Sequence, residues 1–360
     1  MEENFAEQIV PGTFIRVQAE GLIAPKGVSF GNVGIVGTAA AATGVTDAIG
    51  QTHILGSMED AAKLYAPSDA LATGAQNLMR GLALLFANGA RTVYARAVAA
   101  GADQTAFANA AAELLKETVN ILIAPELATA PALQVLPAAT NTAEGDGKDM
   151  ITVVGSDAAS VSDIAAQVAA NKRVVLVTPG VRTYDPAAGA MVDLPGNYTA
   201  AAVAGLIASL APQASPTNKV LPGVTQLVTR YSYGQLKSLL QANVCPLEDR
   251  QGIRVVRGIT TEGEAFSQIT TRRIVDYAKA GIRQVANPFV GRLNNERVRT
   301  ALHGALDSFL TTMVVDEALT GYQLEVKATR ADEIAGRCIV NVAMQPTFSI
   351  DYIRVTLALS

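Results

Sequence analysis

Between residues 32 and 210 the chain alternates short apolar runs with stretches of helical period. Segments 32–37, 91–98, 120–124 and 173–178 read as strands, and the last two are continuous apolar runs of the kind buried on both faces. Segments 58–64, 70–87, 104–117, 161–170 and 199–210 read as helices. In the second of these, Leu71, Leu78, Leu82 and Leu85 fall at helical spacing, and Asn88-Gly89 supplies the stop. Strands separated by helices predict an α/β domain with a largely parallel sheet. The Gly, Thr and Asp-rich stretch 140–149 reads as a surface loop. After about residue 240 the pattern changes. A strand over 253–259, with basic residues facing outward, precedes helices over 269–285 and 294–311 and strands over 324–327 and 337–343. In the second helix Val298, Leu302, Ala305, Leu306 and Phe309 form one apolar face. This half predicts helices against a mostly antiparallel sheet, an α+β arrangement.

Both ends of the chain are strand-like. At the C-terminus, Phe348, Ile350 and Tyr352 alternate with Ser349 and Asp351, and then Ile353, Val355, Leu357 and Leu359 alternate with Arg354, Thr356 and Ala358. Period-2 alternation is the mark of a half-buried strand. The parity switch between Tyr352 and Ile353 predicts a bulge or bend there. Termini are normally frayed and polar, so an apolar terminal strand needs a partner sheet, its own or a neighbour's. At the N-terminus a polar, acidic start with no signal-peptide pattern leads to Pro11-Gly12 and a short β-prone segment containing Phe14, Ile15 and Val17. The expected division is an extended arm over 1–27, an α/β core over 28–240, an α+β domain over 241–343 and a strand arm over 344–360. Hinges are expected at 21–27 and 343–347, where Gly and Pro interrupt the pattern.

Composition narrows the class. Of 360 residues, 49% are apolar and only 17% charged, with no Trp. The mean hydropathy is positive at +0.26, yet no run of about eighteen apolar residues marks a membrane span. So much apolar surface on a chain of this kind favours an oligomer. From Arg250 to Arg299 there are ten basic residues against four acidic. The stretch lacks interleaved aromatics or a nucleic-acid motif, so a basic face meeting an acidic protein partner is expected. Cys245 and Cys338 have no metal-ligand spacing and read as buried small hydrophobes.

Candidate chemistry is sparse. Gly31, Gly34 and Gly37 lie beside the first strand but lack the G-x-G spacing through which a backbone approaches pyrophosphate. Close packing by small residues is the favoured reading, with a nucleotide-binding α/β enzyme as the alternative. No G-x-S-x-G is present, and His53 and His303 have no evident carboxylate partner in sequence. Adjacent acidic pairs such as Glu59-Asp60 and Asp332-Glu333 do not share a helix face. No catalytic, cofactor or metal site is expected.

Several segments together resemble the tail-sheath proteins of contractile phages and related injection systems, tailocins included. They are VPGTFIRV with GNVGIVGTA, then APQASPTNKVLPGV, LKSLLQANVCPLEDRQGIRVVRGITT, the helix-pair stretch TTRRIVDYAKAGIRQVANPFVGRLNNERVRTALHGALDSFL, and the ending FSIDYIRVTLAL. The resemblance is strongest from about Leu236 onward, and the chain lacks room for the outer domains that many phage sheaths insert. It implies a subtilisin-like α/β core without proteolysis, an α+β C-terminal sheath domain and extended β arms. It further implies a structural role: stacked hexameric rings around an inner tube protein, linked by donated terminal strands. Contraction would then drive the tube through a target envelope. Implied partners are further copies of the chain, the tube, the baseplate and a terminator or cap protein, with no cofactor, nucleic acid or membrane insertion. Synthesis in a bacterial cytoplasm and incorporation in a virion tail or injection particle, with release on lysis, follow from the same resemblance. Intersubunit contacts would fall on Phe14, Ile15, Val17, Ile350, Tyr352, Ile353, Val355, Leu357 and Leu359. Arg292, Arg297 and Arg299, from the basic stretch, are the candidate contacts to the inner tube.

Overall fold

The computed structural model describes residues 28–69, 71, 77–185 and 189–358. The first region runs β1 (Val33–Thr38), β2 (Thr52–Leu55), α1 (Met58–Leu64), α2 (Leu78–Ala87), β3 (Val93–Val98), α3 (Gln104–Leu114), β4 (Ile121–Ile123), α4 (Thr129–Gly145) and β5 (Ile151–Gly155). It continues through α5 (Val161–Ala166), β6 (Val174–Thr178), β7 (Val181–Asp185), β8 (Ala190–Leu194), α6 (Gly196–Ser209), β9 (Gln226–Leu227), α7 (Tyr233–Gln241), β10 (Cys245–Asp249) and β11 (Ile253–Val255). Then come α8 (Ile269–Ala286), a short 3-10 turn, α9 (Glu296–Val315), β12 (Leu319–Lys327), α10 (Arg330–Ile334) and β13 (Ile339–Pro346).

Eight strands make one sheet in the order β11-β10-β6-β5-β4-β1-β3-β2, parallel except for the antiparallel edges β11 and β2. Every residue of β1, β4, β5 and β6 is buried, as continuous apolar strands covered on both faces must be. Their side chains divide by the period of two. Val33, Ile35, Ile121, Val175 and Val177 join the core beneath α2 and α6. Val36, Leu122, Val174 and Leu176 join the core beneath α3 and α4. The layers approach closely at Gly155 and Gly196, where a Cβ on either would strike the other segment's backbone carbonyl.

Sequence and structure part in several places. The stretch 140–149 is not a surface loop: its first half completes α4, and the Asp149 side chain is buried. Pro137 lies inside this helix, and the buried Ala132, Val135, Leu136 and Ala143 face carries it. The strand expected over 253–259 belongs to the first sheet, not to the second half; parallel pairing of β10 with β6 carries that sheet past residue 240 as far as Val255. Finally, the segment 343–347 does not break from the strand before it, because β13 is paired with β12 as far as Pro346.

Three residues of the basic stretch, Arg272, Arg273 and Lys279, are buried. On α8, Arg272, Asp276, Lys279 and Arg283 form a charged stripe at helical spacing, set against Glu144 of α4, Asp149 and Arg173 beside β6. Arg173 reaches Glu144 at 2.8 Å, Asp149 at 2.7 Å and Asp276 at 2.9 Å. Lys279 and Arg283 meet Asp149 at 2.8 and 3.1 Å, and Arg272 meets Asp276 at 2.6 Å. Burial opposes the charge on Glu144, but the Arg173 guanidinium, with Lys172 and Lys279 beside it, outweighs burial and holds the carboxyl at about 2. Asp149 is likewise held below its usual range against burial, by Lys279, Arg173 and Arg283. The neighbouring Arg273 points the other way along the seam, donating to the carbonyl oxygens of Leu210, Ala211 and Phe30; burial lowers it to about 10. Such a seam adds little net stability over an apolar one, but it leaves α8 one seat on the sheet, since any slip strands a buried charge.

Candidate assembly interface

The C-terminal region is built on α8 and α9, which share a core of Ile274, Ala278, Ile282, Leu306, Phe309 and Leu310 with Leu319 and Met344. Asn295 caps α9 by accepting from the Val298 amide. Against α9 lies the β12–β13 hairpin, whose register pairs Tyr322 with Met344, Leu324 with Val342 and Val326 with Val340. These inward pairs stay half-exposed except Met344, because two strands are too narrow to cover them. Among the described residues no third strand joins this sheet. Two-stranded sheets are marginal, and open edges invite a further strand.

The arm leaves β13 beside this open sheet. The Thr347 amide donates to the Ala318 carbonyl at 3.0 Å. The Ser349 amide then donates to Gln268 Oε1 at 3.1 Å, and Gln268 Nε2 donates to the Ser349 carbonyl at 3.3 Å. One side-chain amide thus supplies both hydrogen bonds that an antiparallel neighbour would give. Asp351 accepts from Arg257 Nε at 2.7 Å and from Gln268 Nε2 at 3.2 Å, and the Arg257 guanidinium sits 5.6 Å from the Tyr352 ring centre. The polar alternates therefore face the chain's own body. Phe348, Ile350 and Tyr352 turn outward, at 60%, 79% and 74% exposed, and Ile353, Val355 and Leu357 are exposed as well. No strand is assigned over 347–358, so the reading in which the terminal strand closes its own chain's sheet is overturned. The candidate contacts Phe14, Ile15, Val17 and Leu359 lie outside the described residues.

The three arginines proposed from sequence differ in surroundings. Arg292 is exposed and stacks 4.9 Å from the Phe289 ring centre, and Arg297 is exposed on the first turn of α9. Arg299 is tied to Glu333 at 2.9 Å and to the Asn294 side-chain oxygen at 3.0 Å. Val290, Leu293 and Ile334 are exposed as well.

Elsewhere, potential chemistry is consumed by packing. The glycines near β1 are close-approach positions: a Cβ on Gly34 meets Val119 at 3.0 Å, and one on Gly37 would strike the Glu126 carboxylate. Glu126 sits where the strand order reverses between β1 and β4, the place where open α/β sheets bind ligands. It accepts from the Thr38 amide at 2.8 Å and from the Thr38 hydroxyl, taking the N–H that a nucleotide phosphate would use. Burial pushes its carboxyl up to about 7, against the Thr38 hydrogen bonds and the nearby Arg80 charge, while Arg80 itself pairs with Asp185 at 2.6 Å. His53 Nε2 lies 3.0 Å from the Asp47 carbonyl. Cys245 is buried and its thiol is pushed up to about 12, whereas Cys338, expected buried, is exposed on the approach to β13. No cluster of three metal-ligating side chains occurs among the described residues, nor does any of their helices have the length and apolarity to cross a membrane.

Sequence reasoning missed Arg257 and Gln268 at the arm root, as well as the α8 seam. A signal for the seam existed: charges at 272, 276, 279 and 283 repeat at helical spacing. Nothing local marks Gln268.

Comparison with known proteins agrees with this architecture. The model of the phage tail sheath protein central domain matches residues 97–261, and that of the phage tail sheath C-terminal domain matches 261–360. No curated protein sequence matches. Among solved structures, the fold is similar to that in the contracted helical sheath of the anti-feeding prophage (AFP). There the TM-score is 0.74 and the identity 18%, over 98% of this chain and 99% of that one. A chain of the six-fold symmetrised AFP baseplate gives 0.75 and 20%, over 98% and 99%. The sheath tail protein of Desulfitobacterium hafniense gives 0.64 and 14%, over 93% and 100%. Together the two domain models span 97–360, and the chain belongs to the family of phage tail sheath proteins.

Proposed function

We propose that this chain is the repeating subunit of a contractile sheath, stacking as hexameric rings around an inner tube and joined to its neighbours by donated terminal strands. The observation that carries the reading is the arm: an apolar, strand-patterned segment turned outward beside a two-stranded sheet with open edges. Strand addition would supply main-chain hydrogen bonds, with alternate side chains setting register. A contact that joins unlike surfaces and does not close generates a helix, the symmetry a tubular sheath needs. Obligate interfaces of this kind bury about 2,000–5,000 Å², enough for two packings to differ by several kcal/mol per subunit and so to store the work of contraction without a chemical step. The tube protein, the baseplate and a terminator are the expected partners in a phage tail or injection particle. Arg292 and Arg297 would meet the tube, and Arg299 would hold their loop on α10. The test is negative-stain electron microscopy of the chain, alone and co-expressed with its tube protein. Hollow striated tubes or stacked rings are expected; uniform globules in both preparations would overturn the proposal.

A further inference from the structure

The root of the arm contains a device that ordinary folding does not require. Gln268 occupies the N-cap position of α8, where its side chain makes no cap hydrogen bond to the backbone and accepts from the Thr270 hydroxyl at 3.4 Å. The same side chain binds the Ser349 peptide on both sides. Beside it the Asp351 side chain is only 6% exposed, and Arg257 neutralises it. These contacts hold the polar alternates inward, which forces the apolar ones out. They end at Tyr352, where the alternation changes parity, and from Ile353 onward the apolar side chains are exposed.

We propose that Gln268, Arg257 and Asp351 form a launch clamp for strand donation. The clamp fixes the direction and facing of the arm at Ser349–Tyr352, so that the swivel between subunits lies beyond Tyr352 and not in segment 343–347. The inference rests on the sheath reading and adds its positioning residues: Gln268 stands in for one residue of a strand, and the Arg257–Asp351 pair sets which face a second copy of the chain receives. Because the contact lies within one subunit, it is made before assembly and pre-organises the donated segment.

The test uses the full chain with Asp351→Ala, with Gln268→Ala, and with the double exchange Arg257→Asp and Asp351→Arg. Hydrogen exchange of the unassembled chain reads the clamp directly. The Ser349 amide, which donates to Gln268, should exchange roughly tenfold faster in the single variants, with the rest of the chain and the melting midpoint unchanged. Co-expression with the tube protein reads positioning: sheaths should become sparse or short in the single variants and recover in the double exchange, an outcome that mere loss of a contact does not predict. Unchanged exchange at the Ser349 amide would overturn the clamp, and faster exchange there with normal sheaths would overturn its positioning role. Wild-type chain that never forms sheaths would count against the sheath reading instead, leaving exchange to decide the clamp.

Discussion

The eight-stranded sheet and the β12–β13 hairpin solve the same problem in opposite ways. The large sheet has helices on both faces, with its central strands buried residue by residue. The hairpin has α9 on one face, half-exposed inward pairs, and an arm whose apolar side chains point away from the chain. One region is finished by its own sequence; the other leaves apolar side chains exposed. The seam at Arg173 joins them, so that α8 is part of the sheet's packing and of the hairpin's foundation at once.

The largest expected effect lies in that seam. Arg173→Ala leaves Glu144, Asp149 and Asp276 facing one another without their shared guanidinium, and should cost about 3–5 kcal/mol in denaturant unfolding. An equal loss of both regions in one transition would mark them as a single cooperative unit; a biphasic transition would separate them. Next, Leu306→Ala, in the core between α9 and the hairpin, should cost about 2–5 kcal/mol. Its effect on exchange should be concentrated over β12 and β13 if the hairpin depends on α9 alone.

Two carboxyls make the comparison pH-dependent in opposite senses. Glu144 is depressed from 4.5 to about 2. Its contribution is therefore fully present above pH 4.5 and is lost as pH falls towards 2, and Glu144→Gln should blunt acid unfolding in that window. Glu126 is raised from 4.5 to about 7. The folded chain is relieved of its buried charge at low pH and bears the penalty above pH 7, so Glu126→Gln should gain roughly 1–3 kcal/mol at pH 8 relative to pH 4. A melting series across pH 3–8 checks both signs.

The α/β middle was legible because continuous apolar runs and helical periods leave few alternatives. Segments 120–124 and 173–178 lie where β4 and β6 form, and helix 269–285 differs from α8 by one residue at its end. The end of α4 was illegible, since the Gly, Thr and Asp of 140–149 read as a loop, while the partners that bury Thr140, Ala143 and Glu144 come from distant parts of the chain. The assignment of β10 and β11 to the first sheet was illegible for a similar reason: pairing with β6 is a contact between distant residues. The arm's alternation was legible, but its facing was not. That facing depends on Gln268, some eighty positions away, whose role no local pattern records.

The smallest expected effect concerns the outer surface. Arg292→Glu with Arg297→Glu should change stability by less than about 0.5 kcal/mol while weakening sheath assembly on the tube; unchanged co-assembly would remove these residues from the interface.

The most direct measurement is deletion of residues 349–360, read by sedimentation, melting and electron microscopy in one preparation. The account predicts a folded chain with a melting midpoint close to that of the full chain and no sheaths, because the finished region keeps its core and the unfinished one loses the strand it shares. Normal sheaths from the truncated chain, or a truncated chain that no longer folds, would contradict it.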